Sequence, residues 1–253
     1  MKLFVTGASS GIGEALARHY AREDGATGLA ARRGEALREL AARLPGKAAV
    51  YALDVGDEKA VREAAKDFLD RFGAPDLVIA NAGISVGTEG ERLDDVAKLR
   101  RVLDVNVAGL AATLAAFAPA MRAAGRGTLA GIASVAGFRG LPGAGAYCAS
   151  KSAAISWMES LRAELHGSGI AVVTICPGYI DTPMTQGNPY RMPFLLPAGE
   201  AARRIARAID ARRRLAVIPW QMALVASLLR VMPGWLYDRI ASGAPRKPRD
   251  PAL

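Results

Sequence analysis

Tyr147 and Lys151 are the residues of this chain whose types and spacing point most directly to chemistry. They lie four positions apart in the run Tyr-Cys-Ala-Ser-Lys, so a helix would place both side chains on one face, one turn apart. A phenol has a pKa of about 10, and lowering that pKa to about 7 takes roughly 4 kcal/mol. An ammonium about 4 Å away supplies roughly that energy at an effective dielectric constant of about 20. We therefore expect Lys151 to lower the pKa of Tyr147, so that the pair exchanges a proton with a substrate oxygen.

The elements that must position this pair follow from the alternation of short apolar runs with longer amphipathic ones. The predicted strands are Lys2–Val5, Thr27–Ala31, Ala48–Leu53, Leu77–Ala80, Thr128–Ile132, Ala171–Ile175 and Leu215–Ile218. Helices are predicted near residues 13–24, 34–44, 57–72, 91–124, 146–167 and 198–211. Continuous apolar strands separated by helices are typical of a parallel sheet covered on both faces. The sequence predicts an α/β fold, a doubly wound parallel sheet of seven strands, in a single domain over residues 1–253.

Composition narrows the class of protein. The chain has 253 residues, of which 51% are hydrophobic and 23% charged, so it can bury a sizeable core. Its net charge of +9 fits attraction to nucleotide phosphates, nucleic acid or an anionic membrane, but a solvated basic surface is the favoured interpretation. Cys148 and Cys176 adjoin apolar runs without metal-ligand spacing, which predicts core thiols and no metal site. The apolar run at Leu3 ends at a glycine loop rather than continuing as a signal peptide, so a cytoplasmic location is expected.

A glycine-rich turn, Thr6–Gly13, directly follows the first predicted strand and opens a helix. Glycines let the backbone turn tightly and approach a pyrophosphate, while the helix N-terminus offers unpaired N–H groups. In this context the turn predicts a dinucleotide site. Its predicted binding residues are Gly7, Ser9, Ser10, Gly11, Ile12 and Gly13.

The end of the second predicted strand indicates which dinucleotide fits. An acidic residue there would accept hydrogen bonds from the adenosine ribose and repel a 2′-phosphate. This chain has Arg32 and Arg33 instead, and Ser9 of the glycine loop can add a hydroxyl. NADP(H) is therefore predicted over NAD(H). The alternative is that both arginines are solvated charges at a helix start.

Together these residues resemble the short-chain dehydrogenases/reductases, in their short single-domain branch, over roughly residues 2–220. Ser134 precedes Tyr147 by 13 residues, the separation that this family shows. The other motifs that carry the resemblance are Thr6–Gly13, Asp54-Val55, Asn81-Ala82-Gly83, Asn106, Lys151, and Pro177-Gly178 followed by Thr182. Ala80 and Ala133 depart from residues often seen in the family, without touching the catalytic set.

The resemblance implies a role for each motif. Tyr147 would be the general acid or base, Ser134 would bind the substrate oxygen, and Lys151 would bind the nicotinamide ribose. Asn106 would hold a water that links Lys151 to solvent. The remaining predicted cofactor-binding residues are Asp54, Val55, Asn81, Ala82, Gly83, Pro177, Gly178, Ile180 and Thr182. The implied reaction is hydride transfer between a nicotinamide and a carbonyl or secondary alcohol.

Substrate and partners are less sharply indicated. A loop over residues 183–197 and the loop Phe138–Pro142 would flank the carbonyl, and Arg139 and Arg191 are their only charges. This predicts a hydrophobic ketone or aldehyde, unless these residues mainly pack on each other. The apolar segment 219–237 would complete the core, close a subunit interface or, less favoured, lie on a membrane surface.

The resemblance also implies a homodimer or homotetramer, packed through the helices at 91–124 and 146–167. Two rival functions compete with an enzyme. A non-catalytic dinucleotide-sensing regulator has no need of the proton machinery at Ser134, Tyr147 and Lys151. A nucleic-acid binder rests on the +9 charge alone, without any recognised motif.

Overall fold

The computed structural model describes residues 1–249 and is built around one parallel sheet. Its strands are β1 (Lys2–Thr6), β2 (Ala26–Ala31), β3 (Lys47–Ala52), β4 (Leu77–Ala80), β5 (Gly127–Ile132), β6 (Ile170–Pro177) and β9 (Leu215–Ile218). They lie in the order β3-β2-β1-β4-β5-β6-β9, and every pairing is parallel. The predicted seven-stranded, doubly wound sheet is confirmed. The chain reverses its direction of winding between β1 and β4, which is where such sheets bind ligands.

Helices cover both faces of this sheet. They are α1 (Gly11–Tyr20), α2 (Gly34–Ala41), α3 (Glu58–Phe72), α4 (Asp95–Leu103), α5 (Gly109–Ala123), α6 (Gly145–Glu164), α7 (Ala198–Asp210), α8 (Trp220–Val231) and α9 (Gly234–Ala241). A π-helical turn, Asp104–Ala108, joins α4 to α5, and a 3₁₀ turn, Val135–Gly137, follows β5. A second, minor sheet pairs β7 (Ile180–Asp181) with β8 (Leu196–Pro197).

Successive side chains of β1 alternate between the two hydrophobic clusters that cover the two faces of the sheet. Leu3 and Val5 pack into the cluster with α1 and α7, whereas Phe4 packs into the cluster with α3 and α5. On that second face Phe4 meets Phe68 edge-on at 5.5 Å and Phe117 at 4.6 Å between ring centroids. Successive strand side chains point to opposite faces, so a strand buried on both sides is apolar throughout. Hence the short apolar runs predicted the strands well.

Two predicted helices differ most from the observed ones. The helix predicted at 13–24 ends at Tyr20, because Ala21 is extended (ψ 138°) and Arg22 to Gly25 form a turn. The helix predicted at 91–124 begins only at Asp95 and is interrupted by the π-helical turn. Within the described residues, Asp95–Ala123 is the one helical run long and apolar enough to cross a membrane by length and composition. Its inward residues, among them Phe117 and Met121, instead fill the core beside the sheet.

The apolar segment 219–237 forms α8 and the start of α9. Met222 and Ala226 are buried, but a stripe along the other face is exposed. Its members are Trp220, Leu224, Leu228 and Val231, each more than 60% exposed. The interpretation of this segment as core is therefore wrong for its outer face, since helical spacing carries those side chains away from the sheet. A subunit interface and a membrane surface both remain predictions.

Candidate active site

A cleft of about 580 Å³ opens along the carboxyl ends of the central strands. This volume lies within the range of about 300–1,000 Å³ usual for small-molecule sites. Every predicted cofactor-binding residue except Gly13 lines the cleft, together with Ser134. The strand ends bring them together from positions 7 to 182 of the chain, as the topology of a parallel sheet requires.

The glycine loop between β1 and α1 forms the floor of the cleft. Gly7 has a φ of +67° and Gly11 a φ of +58°, a region that favours glycine. Gly13 lies behind the loop rather than in the cleft wall. A Cβ on Gly13 would lie 2.3 Å from the carbonyl oxygen of Gly7, so its role is close packing of α1 against the loop. The loop thus leaves the N-terminus of α1 facing the cleft, which suits an anionic pyrophosphate.

The loop after β4 is fastened to the glycine loop through Thr6. The Thr6 hydroxyl accepts hydrogen bonds from the backbone N–H of Asn81 (3.1 Å) and of Ala82 (3.2 Å). The Asn81 amide donates in return to the carbonyl oxygens of Thr6 (3.1 Å) and Gly7 (3.3 Å). Asn81 and Thr6 are therefore structural bridges between the two loops of the cleft, a part that the Thr6–Gly13 motif did not indicate for Thr6.

Basic residues dominate the cleft wall beyond β2. The Arg33 guanidinium donates to the Ser9 carbonyl oxygen (2.9 Å) and to its hydroxyl (3.2 Å), so the residue is tied to the glycine loop. Arg32 lines the cleft beside it. Nearby, burial raises the pKa of Asp54, but hydrogen bonds from the Gly56 backbone and from Arg101 outweigh it and lower that pKa overall. Arg101 had no signal in the sequence, since it lies within α4 far along the chain.

At the opposite end, β5 and α6 carry the catalytic candidates. Ser134 follows β5 and is 7% exposed, and its hydroxyl accepts the backbone N–H of Ala136 at 3.1 Å. Tyr147 and Lys151 lie one turn apart on α6, with the Lys151 ammonium 5.7 Å from the centre of the Tyr147 ring. That ammonium donates to the carbonyl oxygen of Ile132 at 2.9 Å. The structure thus brings Ser134, Tyr147 and Lys151 to one end of the cleft.

Electrostatics at this end differ from the expectation. Burial raises the pKa of Tyr147 to about 12, with a hydrogen bond from Ser134 opposing the shift. Burial also lowers the pKa of Lys151 to about 8. The expected lowering of the Tyr147 pKa by Lys151 is wrong for this geometry, because the ammonium is directed at Ile132 and loss of hydration dominates both groups. At neutral pH the phenol therefore holds its proton and is set to donate it.

Asn106 does not line the cleft. It is fully buried in the π-helical turn, where its side-chain oxygen accepts the N–H of Ile84 at 2.8 Å. Its amide nitrogen donates to the carbonyl oxygen of Ile84 (3.0 Å) and to the Ser150 hydroxyl (2.9 Å). These contacts anchor the loop after β4 to α6. The water relay implied for Asn106 stays a prediction.

The chain can now be placed among known proteins. The model of the short chain dehydrogenase family matches residues 2–191. The protein is a short-chain dehydrogenase. This dehydrogenase is 39% identical over 240 residues to an uncharacterised oxidoreductase of Myxococcus xanthus, and the match covers 94% of each chain.

Two solved structures are similar to the dehydrogenase over most of its length. One is an alcohol dehydrogenase from the archaeon Thermococcus sibiricus complexed with 5-hydroxy-NADP, 28% identical, with a TM-score of 0.75 over 86% of this chain and 95% of that one. The other is a 3-ketoacyl-(acyl-carrier-protein) reductase from Brucella melitensis complexed with NADH, 25% identical, with a TM-score of 0.77 over 85% and 94%. The dehydrogenase is therefore an oxidoreductase of a family that uses nicotinamide dinucleotides.

Further cleft residues of the dehydrogenase escaped the sequence analysis. Several are strand-end neighbours of predicted positions, which the predicted sheet edge could have indicated. These residues are Ala31, Leu53, Ile84, Ser85, Arg101, Val105, Ile132 and Ala133. Of the predicted substrate loop, the first three residues reach the cleft and the middle of the loop lies outside it.

The second substrate loop is clamped from outside by the C-terminal helices. Arg139 donates to the carbonyl oxygens of Leu229 (2.9 Å) and Met232 (3.1 Å), and lies 4.3 Å from the centre of the Tyr237 ring. The Tyr237 hydroxyl donates to the carbonyl oxygen of Gly140. Arg139 is therefore a structural residue of this loop, and its charge is directed away from the carbonyl site.

Proposed function

We propose that the dehydrogenase transfers a hydride between NADP(H) and a carbonyl carbon or secondary alcohol, with reduction driven by proton donation from Tyr147. The observation that carries this proposal is the convergence of Ser134, Tyr147 and Lys151 at one end of a cleft whose other end holds Arg32 and Arg33. Because the proton machinery is intact at that end, an enzyme is favoured over a dinucleotide-sensing regulator.

The residues present fit a nicotinamide dinucleotide. Gly83 shows the fit. A Cβ there would lie 3.2 Å from the Asn106 side-chain oxygen and 3.5 Å from the Lys151 ammonium. Glycine at this position therefore keeps that part of the cleft free of a side chain. The glycine loop would hold the pyrophosphate, and Asn81 to Gly83 with Pro177 to Thr182 would line the nicotinamide half. When bound, the reduced cofactor supplies the hydride.

The protein's own part is to hold the carbonyl and to give it a proton. The Ser134 hydroxyl and the Tyr147 phenol can both donate hydrogen bonds to one oxygen, which stabilises the negative charge that develops there. Tyr147 then releases its proton to that oxygen. Lys151 is mostly protonated at neutral pH, since its pKa is lowered only to about 8. Its positive charge stabilises the phenolate that forms, and its side chain would hold the nicotinamide ribose.

The preference for NADP(H) rests on the groups beyond β2. Within residues 1–249, the Arg32 guanidinium has no hydrogen bond or salt bridge to the protein, although it lines the cleft. Arg33 is held on the Ser9 hydroxyl, so Ser9 is presented at the same wall. A 2′-phosphate there would receive bidentate, charge-assisted bonds, which a ribose hydroxyl cannot match.

Initial-rate kinetics with NADPH and NADH test this proposal. We expect kcat/KM to favour NADPH by at least about tenfold, and Arg32→Ser to reduce that ratio mainly through KM for NADPH. Arg43→Ser is the matched control, because Arg43 is an exposed cation after α2 and does not line the cleft. An equal or higher kcat/KM with NADH in the unaltered protein would contradict the preference.

We further propose a largely apolar carbonyl substrate. Pro183 and Met184 line the same cleft as Tyr147, and Met184 is 41% exposed. Burying such an apolar surface against an apolar group of the substrate lowers the free energy of the complex. Turnover of an apolar ketone should exceed that of a sugar ketone of similar size. A preference for the sugar would refute this part of the proposal.

A cytoplasmic homodimer or homotetramer is proposed as its working form, packed through α4–α5 and α6. Trp157 on α6 is 45% exposed, and Ala115 on α5 is exposed as well, so both outer faces offer apolar surface. Light scattering after size-exclusion chromatography measures the assembly directly. A monomer at all concentrations would refute it.

A further inference from the structure

The described end of the chain, residues 244–249, here called the tail, packs across the loops that precede Tyr147 and follow β4. The Gly87 N–H donates to the carbonyl oxygen of Pro248 at 3.1 Å. A Cβ on Gly87 would lie 2.3 Å from the Lys247 carbonyl oxygen, and one on Gly143 would lie 2.7 Å from the Arg246 Cβ. Glycine at both positions therefore lets the tail approach the two loops at backbone contact.

An ion pair fixes the last part of the tail. The Arg249 guanidinium donates to both oxygens of the Asp95 carboxylate, at 2.9 and 3.1 Å. Asp95 is only 3% exposed, and hydrogen bonding from Arg249 holds the pKa of its carboxyl well below its usual range. The pair is bidentate, which fixes direction as well as distance. The tail thus has a defined course beside the cleft.

This course places the ammonium of Lys247 against Ser85, a residue of the cleft wall. It donates to the Ser85 hydroxyl at 2.9 Å, and Ser85 lines the same cleft as Ser134 and Tyr147. Within residues 1–249 no carboxylate lies within 4 Å of this half-buried ammonium, and burial lowers the pKa of Lys247. An ammonium has three donors, and a hydroxyl satisfies one of them. A partly buried cation normally has an anionic partner, and residues 1–249 supply none in that range.

We propose that Lys247 is a specificity-determining residue that binds an anionic group, a carboxylate or a phosphate, on the carbonyl substrate. The inference rests on the proposed function, because that function places the carbonyl at Tyr147. Ser85 lines the cleft and holds the Lys247 ammonium, so a ligand whose apolar body extends from Tyr147 along the cleft to Ser85 would bring an anionic group to Lys247. The substrate class is then a ketone or aldehyde that carries an anion away from the reacting carbon, and the apolar lining contacts the chain between them.

Matched substrates test this assignment by kinetics with NADPH. The probes are 7-oxooctanoate and its methyl ester, which differ in charge at the end remote from the ketone. We expect the unaltered enzyme to favour the acid at least tenfold in kcat/KM, Lys247→Met to abolish that preference through KM, and Lys247→Arg to retain it. Arg246→Gln removes one charge from the exposed side of the tail and should keep the preference. Equal losses on both substrates in Lys247→Met, or a preference that survives it, would overturn the assignment.

A binding measurement keeps the assignment testable without turnover. Calorimetry of the NADP⁺-loaded protein with octanoate, octyl phosphate and octanol should show the better anion binding at least tenfold more tightly than octanol. Lys247→Met should remove that difference, and the ranking of the two anions distinguishes carboxylate from phosphate. Anion binding with no carbonyl turnover would refute the proposed function and support this site. Turnover with no anion discrimination would support the proposed function and refute this site. Equal binding of all three probes would refute this site alone.

Discussion

Lys151 gives the sharpest test of the electrostatics in the cleft, because it is a cation that is only 4% exposed. Burial lowers its pKa from an unfolded value of 10.5 to about 8. Below pH 8 the lysine is charged in both the folded and unfolded states, and the folded state bears the full cost of the buried charge. Between pH 8 and 10.5 the folded protein loses this proton while the unfolded chain keeps it. Stability contributed at this position must therefore rise with pH across that interval.

The expected change in the free energy of unfolding follows from the pKa shift of Lys151. A difference of about 2.5 pKa units corresponds to roughly 3 kcal/mol at about 1.4 kcal/mol per unit. Lys151→Met removes the titration and also the hydrogen bond to Ile132, but loss of that bond changes stability by an amount independent of pH. Burial raises the pKa of Tyr147 and of Cys176 to about 12, so both stay mostly protonated in the folded state up to pH 10. The Lys151 charge lowers the pKa of Cys176, but a thiol that stays protonated adds little to the difference over that interval. The difference between the unaltered protein and the variant isolates Lys151.

Urea unfolding at pH 7, 8, 9 and 10, without added dinucleotide, measures that difference. We expect the free energy of unfolding of the unaltered protein to gain on that of Lys151→Met by roughly 2 kcal/mol or more between pH 7 and 10. Lys59→Met is the matched control, because the Lys59 side chain is 85% exposed, and its difference should stay flat. A flat or falling difference for Lys151→Met would refute the assignment of a desolvated ammonium.

Three further changes test other parts of the site. Tyr147→Phe should lower kcat by about 10²–10⁴-fold with KM for the dinucleotide unchanged, and full activity would contradict its role as proton donor. Gly13→Ala forces a Cβ to 2.3 Å from the Gly7 oxygen and should weaken dinucleotide binding at least about tenfold in a fluorescence titration; Gly199→Ala, with nothing within 4 Å, should not. Asn106→Leu leaves the partly buried N–H and carbonyl of Ile84 unpaired, so urea unfolding should show a loss of about 2–5 kcal/mol, and a change under about 1 kcal/mol would contradict the anchoring role.

The strands and the candidate catalytic residues were predictable because local pattern determines both. A run such as Leu77–Ala80 is apolar throughout, since helices cover both of its faces, and a short run of this kind is typical of a buried parallel strand. Tyr147 and Lys151 were found from spacing along one helix, and Ser134 from its interval to Tyr147. The strand order then brings the predicted residues to one edge of the sheet without further information.

What the sequence did not reveal depends on contacts between distant parts of the chain. Arg101 meets Asp54 across 47 positions, and Lys247 meets Ser85 across 162, and neither pair has a local pattern. The sequence pattern predicted one uninterrupted helix over residues 91–124. The observed π-helical turn at Asn106 instead accompanies tertiary hydrogen bonds from this residue to Ile84 and Ser150. The direction of the Tyr147 pKa shift was wrong for the same reason, since spacing indicates proximity to a cation but not the depth of burial.

The bridge made by Thr6 has a consequence for synthesis of the chain. The Thr6 hydroxyl accepts the backbone N–H of Asn81, and Asn81 is synthesised 75 residues after Thr6. The hydrogen bond cannot form before then. A nascent protein that ends before β4 therefore carries a nucleotide-binding turn with no second wall, although β1, β2 and β3 are complete. Dinucleotide should protect the growing chain from proteolysis only after the segment through Gly83 has emerged and folded.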